Sequence, residues 1–181
     1  MKAIEACSPG FQFENLPEEA GTVARSYSKS GFMSTHLIPL PQSGALAYRF
    51  SSEEKLEILL VKKPHASNWG IPKGKLEASL SREENAAKEA FEEAGVKGVV
   101  QQRCLGSYRA MKRSGDRDVL IEVWVYLLQV TEVADEWPEK AVRVVRWCDP
   151  DEAALLLREP LLAELCHKLK ATEHSPGSTL S

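Results

Sequence analysis

The stretch from residue 74 to residue 96, GKLEASLSREENAAKEAFEEAGV, constrains this chain more than any other. Ser81 followed three residues later by Glu84 has the spacing of a capping box, in which hydroxyl and carboxylate each take a backbone N–H that a helix start leaves unpaired. A helix therefore begins there. At about 100° per residue, Ala87, Ala90, Phe91 and Ala94 form an apolar stripe expected to pack inward, and Glu89, Glu92 and Glu93 gather on the opposite side. Gly95 follows the last periodic residue, the place for a left-handed C-terminal cap.

The acidic side carries the chemistry. Glu89 and Glu93 are like charges one helical turn apart, a repulsion of about 0.2 to 0.5 kcal/mol in a free helix that a bound cation would offset. Three convergent carboxylates suit a hard divalent ion, Mg²⁺ with Mn²⁺ as the alternative, completed by waters and substrate phosphates. A solvated acidic face screened by Arg82 and Lys88 has the same spacing, and spacing alone leaves both readings open.

The neighbourhood narrows the choice. The segment resembles the Nudix box: Gly, five residues, Glu, seven residues, Arg-Glu, an apolar residue, any residue, Glu-Glu, any residue, Gly, an apolar residue. Gly74, Glu89, Ala90, Glu92, Glu93, Gly95 and Val96 match it by position, and residues 69–74, WGIPKG, resemble the usual lead-in. Leu80 stands where the family has Glu, and Lys88 where it has Arg. The resemblance implies an α/β fold, a Nudix-type α/β/α sandwich with a mixed β-sheet. It also implies a Mg²⁺-dependent hydrolase of phosphoanhydrides, with Glu89 and Glu93 as metal ligands, a backbone carbonyl around Lys73 and Gly74 as another, and Glu92 as the base that takes a proton from water. The three carboxylates exchange roles among family members. A non-catalytic Nudix-type module that binds polyphosphate is the rival reading, motivated by Leu80 and Lys88.

The likeness extends beyond the box. Residues 25–32, 93–98 and 130–137, together with Arg146-Trp147, resemble stretches of the diphosphoinositol polyphosphate phosphohydrolases, a branch that also cleaves diadenosine polyphosphates. By that resemblance Arg25, Lys62, Lys63, Lys112, Arg113 and Arg143 face a polyphosphate substrate. Read without it, the same residues solubilise turns and strand edges. The branch's basic cluster before its first core strand is replaced here by residues 41–44, PQSG, and its triple glycine becomes Lys73-Gly74-Lys75.

With 181 residues and 43% hydrophobic content, one domain can bury a sizeable core. The expected organisation is an N-terminal extension over residues 1–40, the hydrolase domain over 41–171 and a tail over 172–181. A net charge of −3 leaves no polybasic footprint for duplex nucleic acid or an acidic membrane, and no protein partner is evident. The start of the chain lacks the apolar core of a secretory signal, and Cys7, Cys104, Cys148 and Cys166 lack paired spacing, so reduced thiols and a cytoplasmic location are expected. His36, His65, His167 and His174 show no zinc-ligand spacing. Strands are expected over residues 44–50 and 56–62 around a polar turn, over 99–111 and 119–131 around a hairpin turn at 112–117, and over 142–147. Asp149-Pro150 and Pro160 then open two helices.

Overall fold

A computed structural model describes residues 38–173. Arg25 and Cys7 lie outside the described residues. Chain order is β1 (Leu40–Phe50), β2 (Leu56–Lys62), β3 (Lys73–Lys75), α1 (Arg82–Ala94), β4 (Val96–Ser114), β5 (Arg117–Val133), a short 3-10 turn (Lys140–Val142), β6 (Val144–Cys148), α2 (Pro150–Leu156) and α3 (Pro160–Glu173). The strands form one sheet in the order β4-β5-β1-β2-β6, with β3 alongside the first half of β1. The β1–β5 pair is parallel and the other pairs are antiparallel, so the sheet is mixed.

Side-chain alternation along each strand splits the core between two faces. Ala45, Ala47, Leu59, Val61, Tyr126 and Leu128 pack with Ala86, Ala90 and Ala94 of α1. Leu46, Ile58, Leu60, Val125 and Leu127 have the opposite parity and are buried on the face where α2 and α3 bring Ala153, Leu162, Leu165 and Leu169. Helices on both faces of one mixed sheet make the α/β/α sandwich of the Nudix fold.

The hairpin differs from its expectation. Both strands run on through Lys112 and Arg113 to a two-residue turn at Gly115 and Asp116, where Gly115 takes φ +60°. The run of polar residues reads as a turn, yet cross-strand pairs such as Arg113 with Asp118 suit an exposed ladder equally well. The expected strand over 142–147 starts at Val144, because Lys140–Val142 close a 3-10 turn and Arg143 links the two. Asp149 caps α2 through the N–H groups of Asp151 and Glu152, with Pro150 in its first turn. Among the described residues, Cys104, Cys148 and Cys166 are free thiols, and burial raises Cys148 to about 11 and Cys166 to about 12.

Candidate active site

Helix α1 starts and stops where its caps dictate. Ser81 Oγ accepts from the Glu84 N–H, Glu84 accepts from the Ser81 N–H at 2.8 Å, and Gly95 ends the helix at φ +69°. Its orientation differs from the expected one. The buried face carries Asn85, Ala86, Ala90, Glu93 and Ala94, while Ala87 and Phe91 are half-buried at its rim. The acidic residues therefore flank the buried face instead of opposing it, and Glu93 is only 5% exposed.

The burial of Glu93 has tertiary causes. Its Oε2 accepts the Lys73 backbone N–H at 3.2 Å, and its Oε1 pairs with the Arg143 guanidinium, whose Nε also reaches Glu139 at 2.7 Å. Burial drives the Glu93 carboxyl upward and wins over Arg143 and Lys73, which favour its charged form. Glu89 is raised to about 7, first by burial and then by the Glu93 charge. Lys73 moves the other way, pushed down by burial and by Lys112 and Arg143, against Glu93 and Glu159.

Gly74 is shaped for Glu89. A Cβ at position 74 would lie 1.9 Å from Glu89 Oε1 and 2.3 Å from Oε2, so only glycine lets this carboxylate rest against the loop backbone. Ser43, opposite Gly74 in the β1–β3 ladder, is fully buried and its Oγ has no hydrogen-bond partner. Two desolvated carboxylates, a bare glycine backbone and an orphaned hydroxyl fit a hard cation with oxygen ligands. Against this stands the pairing already present: Arg143 neutralises Glu93 and Lys88 holds Glu92. Among the described residues no group of three or more His, Cys, Asp or Glu side chains is drawn together as a metal cage.

The expected phosphate-facing residues divide. Arg143 sits on Glu93, and Lys112 lies within electrostatic reach of Lys73. Lys62 stacks over Trp69, 4.9 Å from the ring centroid, and Lys63 is exposed beside it. Arg113 is held at the hairpin tip by Gly115 O at 3.1 Å and Asp118 at 3.4 Å. Sequence reasoning missed Glu77, Asn85, Tyr108, Glu139 and Glu159. Buried Asn85 accepts the Glu77 N–H and donates to Lys75 O, both at 3.0 Å, tying the box loop to the helix. Its uncharged amide among the alanines of that helix face is the available signal.

The NUDIX-domain family model matches residues 40–169. The chain belongs to the Nudix family. It is 32% identical over 152 residues to diphosphoinositol polyphosphate phosphohydrolase 3-beta of Bos taurus, covering 81% of this chain and 83% of that protein. It is 36% identical over 108 residues to Nudix hydrolase 12, mitochondrial, of Arabidopsis thaliana, where the match covers 58% of this chain and 53% of that relative. The C. elegans Ap4A hydrolase binary complex shares the fold with a TM-score of 0.51 at 19% identity, covering 73% of this chain and 96% of that one. Family membership and the named hydrolases make this Nudix chain a pyrophosphohydrolase, of a class that uses a divalent metal. Among the described residues no helix is long and apolar enough to cross a membrane.

Proposed function

We propose that this Nudix pyrophosphohydrolase depends on Mg²⁺, with Mn²⁺ as a substitute, and cleaves a diphosphate linkage in diphosphoinositol polyphosphates or diadenosine polyphosphates. The observation that carries the reading is the Glu89 carboxylate lying in the space a Gly74 side chain would fill, with the buried Glu93 as its charged neighbour. The names of the bovine relative and of the C. elegans neighbour supply the two substrate classes. The hydrolase domain in this reading is residues 41–171, with 1–40 as an extension and 172–181 as a tail, and the protein works in the cytoplasm on a small molecule.

Glu89, Glu93 and the backbone carbonyl at Lys73 or Gly74 would hold the metal, which supplies charge neutralisation on the phosphate oxygens and an acidified water. The rest falls to the chain's own groups. The water oxygen bonds to phosphorus, the bridging P–O bond breaks, and its electron pair leaves with the departing phosphate. Glu92 takes the water's proton, and Lys88 fixes that carboxylate in place through their hydrogen bond. Arg143 and the Lys73 N–H hold Glu93 in the site. Lys112, Lys62 and Lys63 face the phosphates in this reading, with Arg113 further out at the hairpin tip, and the family resemblance adds Arg25 as a substrate contact. For Arg143 to reach a phosphate as well, its bond to Glu139 would exchange for one to substrate.

The second reading, a polyphosphate-binding module without turnover, is favoured by the cations that already neutralise Glu92 and Glu93. Incubation of the full chain with diadenosine polyphosphates, inositol pyrophosphates, nucleotide sugars and nucleoside triphosphates, with and without Mg²⁺, separates the two. Turnover of either proposed class only when Mg²⁺ is present supports the enzyme reading; tight binding without product supports the module.

A further inference from the structure

Residues 134–143 run as a strap along the C-terminal turn of α1. The Ala134 N–H donates to Gly95 O at 2.8 Å and the Glu139 N–H to Glu92 O at 3.0 Å. Trp137 lies over the helix cap, where a Cβ on Gly95 would be 2.5 Å from its Cε3. These contacts fix the strap's backbone on the turn that carries Glu92 and Glu93. The 3-10 turn Lys140–Val142 then leads from Glu139 to Arg143.

One guanidinium spans two carboxylates there. Arg143 Nε donates to Glu139 Oε2 at 2.7 Å and its Nη2 donates to Glu93 Oε1. The Glu93 side chain is 7% exposed and the Glu139 side chain 38%, so the guanidinium reaches from a dry carboxylate to a wet one. Glu93 is held a second time through Oε2, by the Lys73 N–H at 3.2 Å. Oε1 can therefore change partner while the carboxylate keeps its orientation. A buried carboxylate stays charged only with a cation beside it, so a charged Glu93 needs Arg143 or a metal at Oε1. A guanidinium and a divalent ion on one desolvated oxygen repel each other, so the two take turns.

We infer that Arg143 is a stand-in for the metal on Glu93: it occupies Oε1 while the metal is absent, gives that oxygen up to an arriving divalent cation, and stays tethered through Nε to Glu139. The inference rests on the proposed reading of Glu93 as a metal ligand. It makes Glu139 a positioning residue, which keeps the released guanidinium beside the site until substrate arrives. A plain structural ion pair between strap and helix predicts the opposite response to metal, because a brace that sets Glu93 in place helps the cation bind.

The test is titration of the full chain with Mn²⁺ by calorimetry, with no substrate present. Arg143→Met removes the competing charge and should tighten Mn²⁺ about tenfold, the worth of one charge-assisted hydrogen bond. Glu139→Gln loosens the tether and should weaken Mn²⁺ about threefold, an effect that should vanish in the Arg143→Met background. Unchanged or weaker Mn²⁺ binding in folded Arg143→Met, or no Mn²⁺ binding in either protein, overturns the stand-in. Weakening by Glu139→Gln that persists in the double variant overturns the tether. Where Arg143→Met fails to fold, NMR of the wild type gives the answer. Rotation of the Arg143 guanidinium about Nε–Cζ, hindered while two carboxylates grip it, should become faster as Mg²⁺ is added, and rotation unchanged at saturating Mg²⁺ overturns the exchange. Tighter Mn²⁺ binding in Arg143→Met, with no phosphoanhydride turnover by the wild type, overturns the hydrolase reading and leaves the exchange standing.

Discussion

The Nζ of Lys88 lies 3.0 Å from Oε1 of Glu77 and also donates to Glu92, so one ammonium links the box loop to the acidic side of α1. The family's brace of Glu with Arg is absent at positions 80 and 88, and Glu77, three residues before Leu80, supplies the missing carboxylate to Lys88. The ammonium offers a point contact where Arg would offer a fork. The pair is half-exposed and its energy is modest, about 0.5 to 1 kcal/mol. Glu77→Gln should therefore lower kcat about two- to fivefold with little change in melting temperature. A double-mutant cycle of Glu77→Gln with Lys88→Met should show coupling, and Leu80→Glu should rescue Glu77→Gln only when Lys88→Arg is also present. Additive effects at positions 77 and 88 would remove Glu77 from the brace.

Gly74 admits no side chain while Glu89 stays in place. Gly74→Ala should lower kcat by two orders of magnitude or more, because a Cβ 1.9 Å from Oε1 forces the carboxylate away. The Mg²⁺-dependent rise in melting temperature should shrink in parallel. Retention of both properties in the alanine variant would separate Glu89 from the metal.

The Glu89 carboxyl titrates near 7 in the folded chain against 4.5 when unperturbed. Between these values the folded state holds more protons than the unfolded state, so stability falls as pH rises through the window and levels off above it. The metal-free protein should melt at a lower temperature at about pH 8 than at about pH 5, and Glu89→Gln should flatten most of that difference. A bound divalent ion favours the charged carboxylate, so the Mg²⁺ shift in melting temperature should be larger at the higher pH. An unchanged pH profile in Glu89→Gln would place the titration elsewhere.

The two hairpin cations should differ. Lys112 reaches the electrostatic neighbourhood of Lys73, whereas Arg113 is tied to Gly115 and Asp118 at the tip. Lys112→Ala should raise KM for the most highly charged substrate more than Arg113→Ala does, and should reduce its salt dependence. Equal effects would show that only the overall charge of the hairpin matters.

Local signals were readable in the sequence and long-range ones were not. Ser81, Glu84 and Gly95 fix the ends of α1 through contacts within one turn, and Asp149-Pro150 does the same for α2. The apolar pattern leaves the rotation of α1 about its axis open, because alanines at 86, 87, 90 and 94 give little contrast between faces. The burial of Glu93 depends on Lys73 and Arg143, 20 and 50 residues away. Asn85 and Glu77 act through a loop whose path no periodicity describes. The Gly74 cradle is a tertiary feature, made by the Glu89 carboxylate lying against a loop fifteen residues away in sequence.

The central claim is that Glu92 and Glu93 serve a metal-dependent hydrolysis. Its most direct test is steady-state turnover of a diadenosine polyphosphate and an inositol pyrophosphate by Glu92→Gln and Glu93→Gln at saturating Mg²⁺, alongside circular dichroism to verify folding. The account predicts that each variant keeps the fold and loses turnover by orders of magnitude, with the Mg²⁺ melting shift reduced in Glu93→Gln and largely kept in Glu92→Gln. Metal-dependent turnover near the wild-type rate in both folded variants would contradict it.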